Sequence, residues 1–325
     1  MSLNLSAFLQ WGPSIIMCRK IGWKFTYCYV SILGKLYFFF NRKEKWKIKE
    51  SVKTAFIGRK NPSELKSITK GIFQGILSHY YEKFVNVYAA PETLRNFYKI
   101  HMTNEGLHTL NQALSKGNGI LLITGHYGGI EFIPTFLGAL NYPASIVAKF
   151  KTKKLRDMTM RQANNFSVNI IDADHTPNIV KAICDNLKEN RIVITMCDEI
   201  NEWKPSRRDK IYFLGQQIHL DKTINILSKR YGSEVVFGVM HRVCRHKYTF
   251  IATSWEEMAK HFQRSIDMSV GAVILKFLEH YIYKYPEGWY QWKKYPELAL
   301  FSPSSTETKA PASIPLLEPS LGNVS

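Results

Sequence analysis

The sequence predicts an α/β fold: a central, mostly parallel sheet flanked by helices and preceded by a helical N-terminal region. Between Gly119 and Trp255, short apolar runs alternate with stretches of helical periodicity, the pattern of strands joined by crossover helices over a sheet covered on both faces. Residues 51–115 upstream read as helical. The composition, 45% apolar and 22% charged over 325 residues, is that of a chain with a full core and not of a disordered one.

Three parts follow in order along the chain: a basic, aromatic segment over 1–50, the main domain over 51–300, and a Ser/Thr/Pro-rich disordered tail over 301–325. Residues 1–60 hold twelve Lys or Arg against two acids, Glu44 and Glu50, so +10 of the net +18 sits at this end. The apolar run Ile21–Phe40 is interrupted by Lys24 and Lys35, which leaves no uncharged stretch of about 18 residues to span a bilayer. Its rings suit headgroup depth, with Arg42, Lys43, Lys45, Lys47 and Lys49 toward anionic phosphates. The competing reading is a cationic helix packed on the protein itself.

Asn61-Pro62-Ser63-Glu64 reads as a helix start, followed by Ile68, Ile72 and Ile76 at helical spacing. Strands are expected at 120–124, 145–148, 169–171, 192–196, 235–240 and 248–252, and helices at 155–164, 178–189, 222–231 and 268–285. The segment Trp203–Lys210, with Arg207 and Arg208, reads as a mobile cationic loop. Five cysteines without a CxxC pair support neither a zinc knuckle nor a disulfide framework, and read as reduced core residues of a cytosol-facing protein. No RNP-like, helix-turn-helix or zinc signature accompanies the charge, so nucleic acid is the weaker explanation of it.

The sharpest local feature is the run Ile120–Glu131, in which a buried strand leads into His126, the pair Gly128-Gly129, and Glu131. Residues five apart diverge on a regular helix, at about 100° per residue. A pairing of His126 with Glu131 therefore needs a strand-to-helix turn, which the two glycines permit. A carboxylate on one imidazole nitrogen fixes the tautomer and makes the other nitrogen a base. The N–H groups of Gly128 and Gly129 would be placed for an oxyanion or a phosphate. Asp198 and Glu199 follow a second buried strand, where they could orient His126, bind a substrate hydroxyl or, for Asp198, cap a helix.

With these residues in place, most of the span 10–300 resembles the bacterial lysophospholipid acyltransferase superfamily, in its late lipid A acyltransferase branch. The resemblance rests on ordered matches: the basic aromatic start, the His-x4-Glu motif, Arg161 on a later helix, Cys197-Asp198-Glu199, Tyr212-Phe213-Leu214-Gly215, and Pro286–Lys294 with its tryptophans. Gly129-Ile130 replaces the usual Asn-Trp, and Lys293-Lys294 the usual Arg-Arg. The resemblance implies transfer of a fatty acyl group from acyl carrier protein or coenzyme A to a lipid hydroxyl. It places this on the cytoplasmic face of the inner membrane, with no metal or bound cofactor. In these terms His126 and Glu131 are the catalytic pair, and Gly128, Gly129, Arg161, Asp198 and Glu199 support the substrates. A lipid-binding relative without turnover is the alternative; an intact His126 and Glu131 argue against it.

Overall fold

The computed structural model describes residues 12–199, 205–262 and 268–299. The described residues begin with three helices, α1 (Gly12–Ile21), α2 (Trp23–Phe40) and α3 (Arg42–Ala55), before the long α4 (Pro62–Tyr88). Asn61 caps α4 as expected, its side chain accepting from the Glu64 N–H while the Glu64 carboxylate accepts from the Asn61 N–H. Gly34 lets α2 lie close on α4, since a methyl there would strike Leu77. Among the described residues no helix is long and apolar enough to cross a membrane.

Then follow α5 (Pro91–His101), β1 (Met102–Asn104), α6 (Leu107–Ser115), β2 (Ile120–Thr124), a 3-10 turn at Ile130–Phe132, α7 (Ile133–Ala139), β3 (Ala144–Ala148), α8 (Lys153–Asn165), β4 (Asn169–Asp172), α9 (Ile179–Lys188) and β5 (Ile192–Met196). A hairpin, β6 (Pro205–Phe213) and β7 (Gln216–Asp221), interrupts this alternation. It leads into α10 (Thr223–Tyr231), β8 (Glu234–Cys244), β9 (Lys247–Ser254), α11 (Trp255–His261), α12 (Val270–Lys284), two 3-10 turns over 286–293 and α13 (Tyr295–Leu298).

Among the described residues the main sheet has seven strands in the order β1-β9-β8-β2-β5-β3-β4. Strands β8, β2, β5, β3 and β4 are parallel, while β9 turns back antiparallel to β8 with β1 alongside it. All six expected strands are present. The sequence missed β1, three residues without an apolar run, and the hairpin. The expected cationic loop is largely that hairpin: its backbone from Pro205 onward is strand β6, and Trp203 and Lys204 lie outside the described residues. Leu214 and Gly215 make its turn with φ of 52° and 84°, the left-handed pair that matches strand twist. The tail over 301–325 also lies outside the described residues.

Helices flank the sheet, and β2 is buried along its whole length, as a central parallel strand must be. None of the five cysteines is in a disulfide, and only Cys18, Cys184 and Cys197 are buried; Cys28 and Cys244 are exposed. The expectation of five core cysteines fails at these two because the outer face of α2 and the β8–β9 turn face solvent.

Candidate active site

Strand pairing assembles the site. Thr124 at the end of β2 is the register partner of Met196 at the end of β5, and the Cys197 N–H continues the ladder to the Thr124 carbonyl at 2.8 Å. His126 and Asp198 each lie two residues beyond those partners, so equal offsets on adjacent parallel strands bring them together. Asp198 accepts twice from the same residue: Oδ2 from the His126 backbone N–H at 3.0 Å, and Oδ1 from Nδ1 at 2.8 Å. Glu199 faces the other ring nitrogen, with Oε1 3.3 Å from Nε2.

Asp198, not Glu131, therefore holds the imidazole. The Glu131 carboxylate turns toward α4, where Lys83 Nζ lies at 3.2 Å and His79 Nε2 at 3.6 Å. The physical reason is the 3-10 turn that begins at Ile130, which carries Glu131 against α4 and away from the end of β2. The sequence offered Asp198 and Glu199, after a second buried strand, as alternatives for orienting His126; the register of β2 and β5 selects Asp198.

The glycine N–H groups also differ from expectation. Gly128 donates to the Gly288 carbonyl and Gly129 to the Met240 carbonyl, each at 2.8 Å. Both donors are spent on holding the turn, so neither is placed for an oxyanion. Gly128 has φ of 58°, and a methyl there would strike the Met240 carbonyl. Left-handed backbone alone costs a side chain about 1–2 kcal/mol. Gly128→Ala is therefore expected to destabilise the fold by at least about 2 kcal/mol, read as a lowered midpoint in chemical denaturation.

Electrostatics make the imidazole basic. Burial disfavours its charged form, but Asp198 and Glu199 outweigh that and raise its pKa to about 9. Asp198 is driven the other way: burial opposes its charge, yet His126 and the indole N–H of Trp289 hold its carboxyl below the usual range. A general base must be unprotonated, so kcat/KM of any reaction using His126 as base is expected to rise with pH through about 9. Glu199→Gln should move that limb to lower pH, and a limb that stays in place would remove Glu199 from the site.

Residues the sequence left unassigned complete the shell. Trp289, fully buried, donates its indole N–H to Asp198 Oδ2 at 2.8 Å. Tyr290 and His126 meet edge to face with ring centroids 5.0 Å apart, and Tyr290 also stacks on His79. Burial, reinforced by the Lys83 charge, pushes the His79 pKa well below its ordinary value and keeps it neutral. In the sequence the tryptophans belonged only to the Pro286–Lys294 match; the fold shows Trp289 against a carboxylate. Arg161 stands apart. It is exposed on α8 in a neighbouring cleft of about 290 Å³ with Arg19, Val87 and Met158, one helical turn of α4 beyond Lys83.

This arrangement, a carboxylate-held imidazole at the carboxyl ends of parallel strands, is where open α/β sheets place their chemistry. Residues 12–294 match the model of the bacterial lipid A biosynthesis acyltransferases. The chain belongs to that family. A search of curated proteins gives no match. Membership makes an acyltransferase the activity to be explained, and it extends over the N-terminal helices, the sheet and the Trp289 segment alike. Among the described residues no group of three or more His, Cys, Asp or Glu side chains could hold a metal ion.

Proposed function

We propose that the protein moves a fatty acyl group from a thioester of acyl carrier protein or coenzyme A to a hydroxyl of a lipid or glycolipid, with His126 as general base. The observation that carries this reading is the Asp198–His126 pair. With Nδ1 held by Asp198, Nε2 is the nitrogen left to receive a proton. The acceptor hydroxyl gives its proton to Nε2 as its oxygen attacks the thioester carbonyl. The C–S bond then breaks, the ester forms, and the imidazolium returns the proton to the leaving thiolate. Glu199, close to Nε2, either yields to the acceptor hydroxyl or accepts its hydrogen bond, and Lys83 and Glu131 form the polar wall toward α4.

The reaction site is proposed to face the cytoplasmic leaflet of the inner membrane. At about 100° per residue, Phe25, Ile32, Leu36 and Phe39 fall on one face of α2, with Lys24 and Lys35 along one flank. Tyr27, Val30, Gly34 and Phe38 form the opposite, buried face. The outer face is exposed, Phe39 and Phe40 to 66% and 68%, and Ile16 of α1 and Trp46 of α3 are exposed as well. A helix apolar on both faces and covered on one calls for an apolar medium on the other. The cations of α3 suit an anionic leaflet.

The test offers acyl-carrier protein and acyl-coenzyme A separately to purified protein with membrane lipid extract, and reads products by mass spectrometry. A new acylated lipid made by wild type and lost in His126→Ala supports the reading. If wild type and His126→Ala give identical lipid profiles, catalysis is abandoned for a lipid-binding role.

A further inference from the structure

Behind the catalytic turn lies an ion pair that the proposed chemistry does not use. Glu82 on α4 is fully buried, and Arg242 on β8 grips both its oxygens, Nε to Oε1 at 2.7 Å and Nη2 to Oε2 at 2.9 Å. Tyr248 of β9 donates its hydroxyl to Oε1 at 2.9 Å. Burial pushes the Glu82 carboxyl above its ordinary range even with the guanidinium against it. Such a pair is a weak source of stability, because desolvating two charges offsets most of their attraction, and apolar replacements are often neutral or stabilising. Its presence calls for another explanation.

The contacts around the pair supply one. Arg242 Nη2 also reaches the Gly128 carbonyl at 3.4 Å. The Tyr248 ring lies against Gly129, where an added methyl would sit 3.0 Å from it. Met240, two residues before Arg242, accepts from the Gly129 N–H. The turn that presents His126 is therefore bound to β8 and β9 by the residues that hold Glu82. Glu82 itself sits on α4 between His79, which stacks on Tyr290, and Lys83, which pairs with Glu131.

We infer that Glu82, Arg242 and Tyr248 are positioning residues, an internal peg that sets the α4 wall of the site in register with the His126 turn. Their function is alignment, and stability does not depend on them. This rests on the acyl-transfer reading for its kinetic consequence but not for its structural one.

The test is the triple variant Glu82→Met, Arg242→Met, Tyr248→Phe in the full chain, which removes the charges and the hydroxyl together and gives up only the 3.4 Å contact to the Gly128 carbonyl. The expected result is an unchanged or raised melting temperature with kcat lowered about 100-fold and the donor KM unchanged, the penalty of misplacing reacting groups by about 1 Å. In parallel, NMR titration of the His126 ring should show its pKa falling from about 9 toward 6.5 as the turn drifts from its carboxylates. Arg242→Lys, which keeps the charge and loses the fork, should lower kcat at least about 10-fold without loss of stability, and decides the matter if the triple variant does not fold. Unchanged kcat and an unchanged His126 titration in either folded variant would overturn the proposal. If wild type turns over no thioester while the triple variant or, where that does not fold, Arg242→Lys still shifts the His126 titration, the peg stands and the acyl-transfer reading falls.

Discussion

Asp198→Asn is expected to lower kcat for acyl transfer by about 10³–10⁴, the scale of losing the tautomer-fixing carboxylate behind a histidine base. The amide still fits beside Nδ1, but it can present an N–H where Asp198 Oδ1 now accepts at 2.8 Å. The ring would then turn its proton toward the acceptor hydroxyl and lose its basicity there. Removing the buried charge also removes the main opposition to burial, so the His126 pKa should fall from about 9 and the rising limb of kcat/KM should move to lower pH. Glu131→Gln separates the two carboxylates: it disturbs the pairing with Lys83 and should leave that limb in place. The decisive measurement is the pH profile of the three proteins. A limb that shifts with Glu131→Gln and not with Asp198→Asn would return the orienting role to Glu131.

The same linkage bears on stability. A histidine whose folded pKa stands above its unfolded value stabilises the fold fully below about 6.5, and that contribution fades as pH rises through about 9. Wild type should thus lose stability relative to His126→Gln across that window.

The second large effect concerns the outer face of α2. Changing Ile32, Leu36, Phe39 and Phe40 together to serine removes four exposed apolar side chains that are not among the buried core residues. Full burial of such a side chain is worth about 1.5–3 kcal/mol. Even half of that for four residues amounts to about 3 kcal/mol, so partitioning onto anionic vesicles should weaken by about 100-fold or more. Circular dichroism and activity on a detergent-dispersed acceptor should stay near wild type. Vesicle co-sedimentation equal to wild type would end the case for this face as the membrane contact.

The chain shows where local patterns suffice. The strands at 120–124 and 192–196 were legible to the residue because they are short, uncharged and bounded by polar or turn-forming residues. The start of α4 was legible because a capping box is a local device, satisfied within four residues. Strand β1 was not, since its three residues are half-exposed or exposed and are strand only through pairing with β9. Within the site, His126 stood out because a histidine before two glycines at the end of a buried strand is a local anomaly. Which of Glu131, Asp198 and Glu199 partners it was not legible, because Asp198 lies 72 residues away in sequence and is joined only by register. Trp289 is 91 residues beyond Asp198, and Glu82 and Arg242 are 160 apart.

The sequence by itself determined the α/β class, the order of most elements, the family, the basic and apolar character of the N-terminal helices, and His126 as the residue to watch. Each of these is written in periodicity, composition or a short motif, which neighbouring residues specify without help from distant ones. Tertiary structure decided which carboxylate holds the imidazole, that the Gly128 and Gly129 amides are spent on the turn, that Trp289 steadies Asp198, and that α2 is apolar on two faces while only one is covered. These follow from strand register and from which surfaces meet, quantities set by the packing of the whole chain and absent from any window of it.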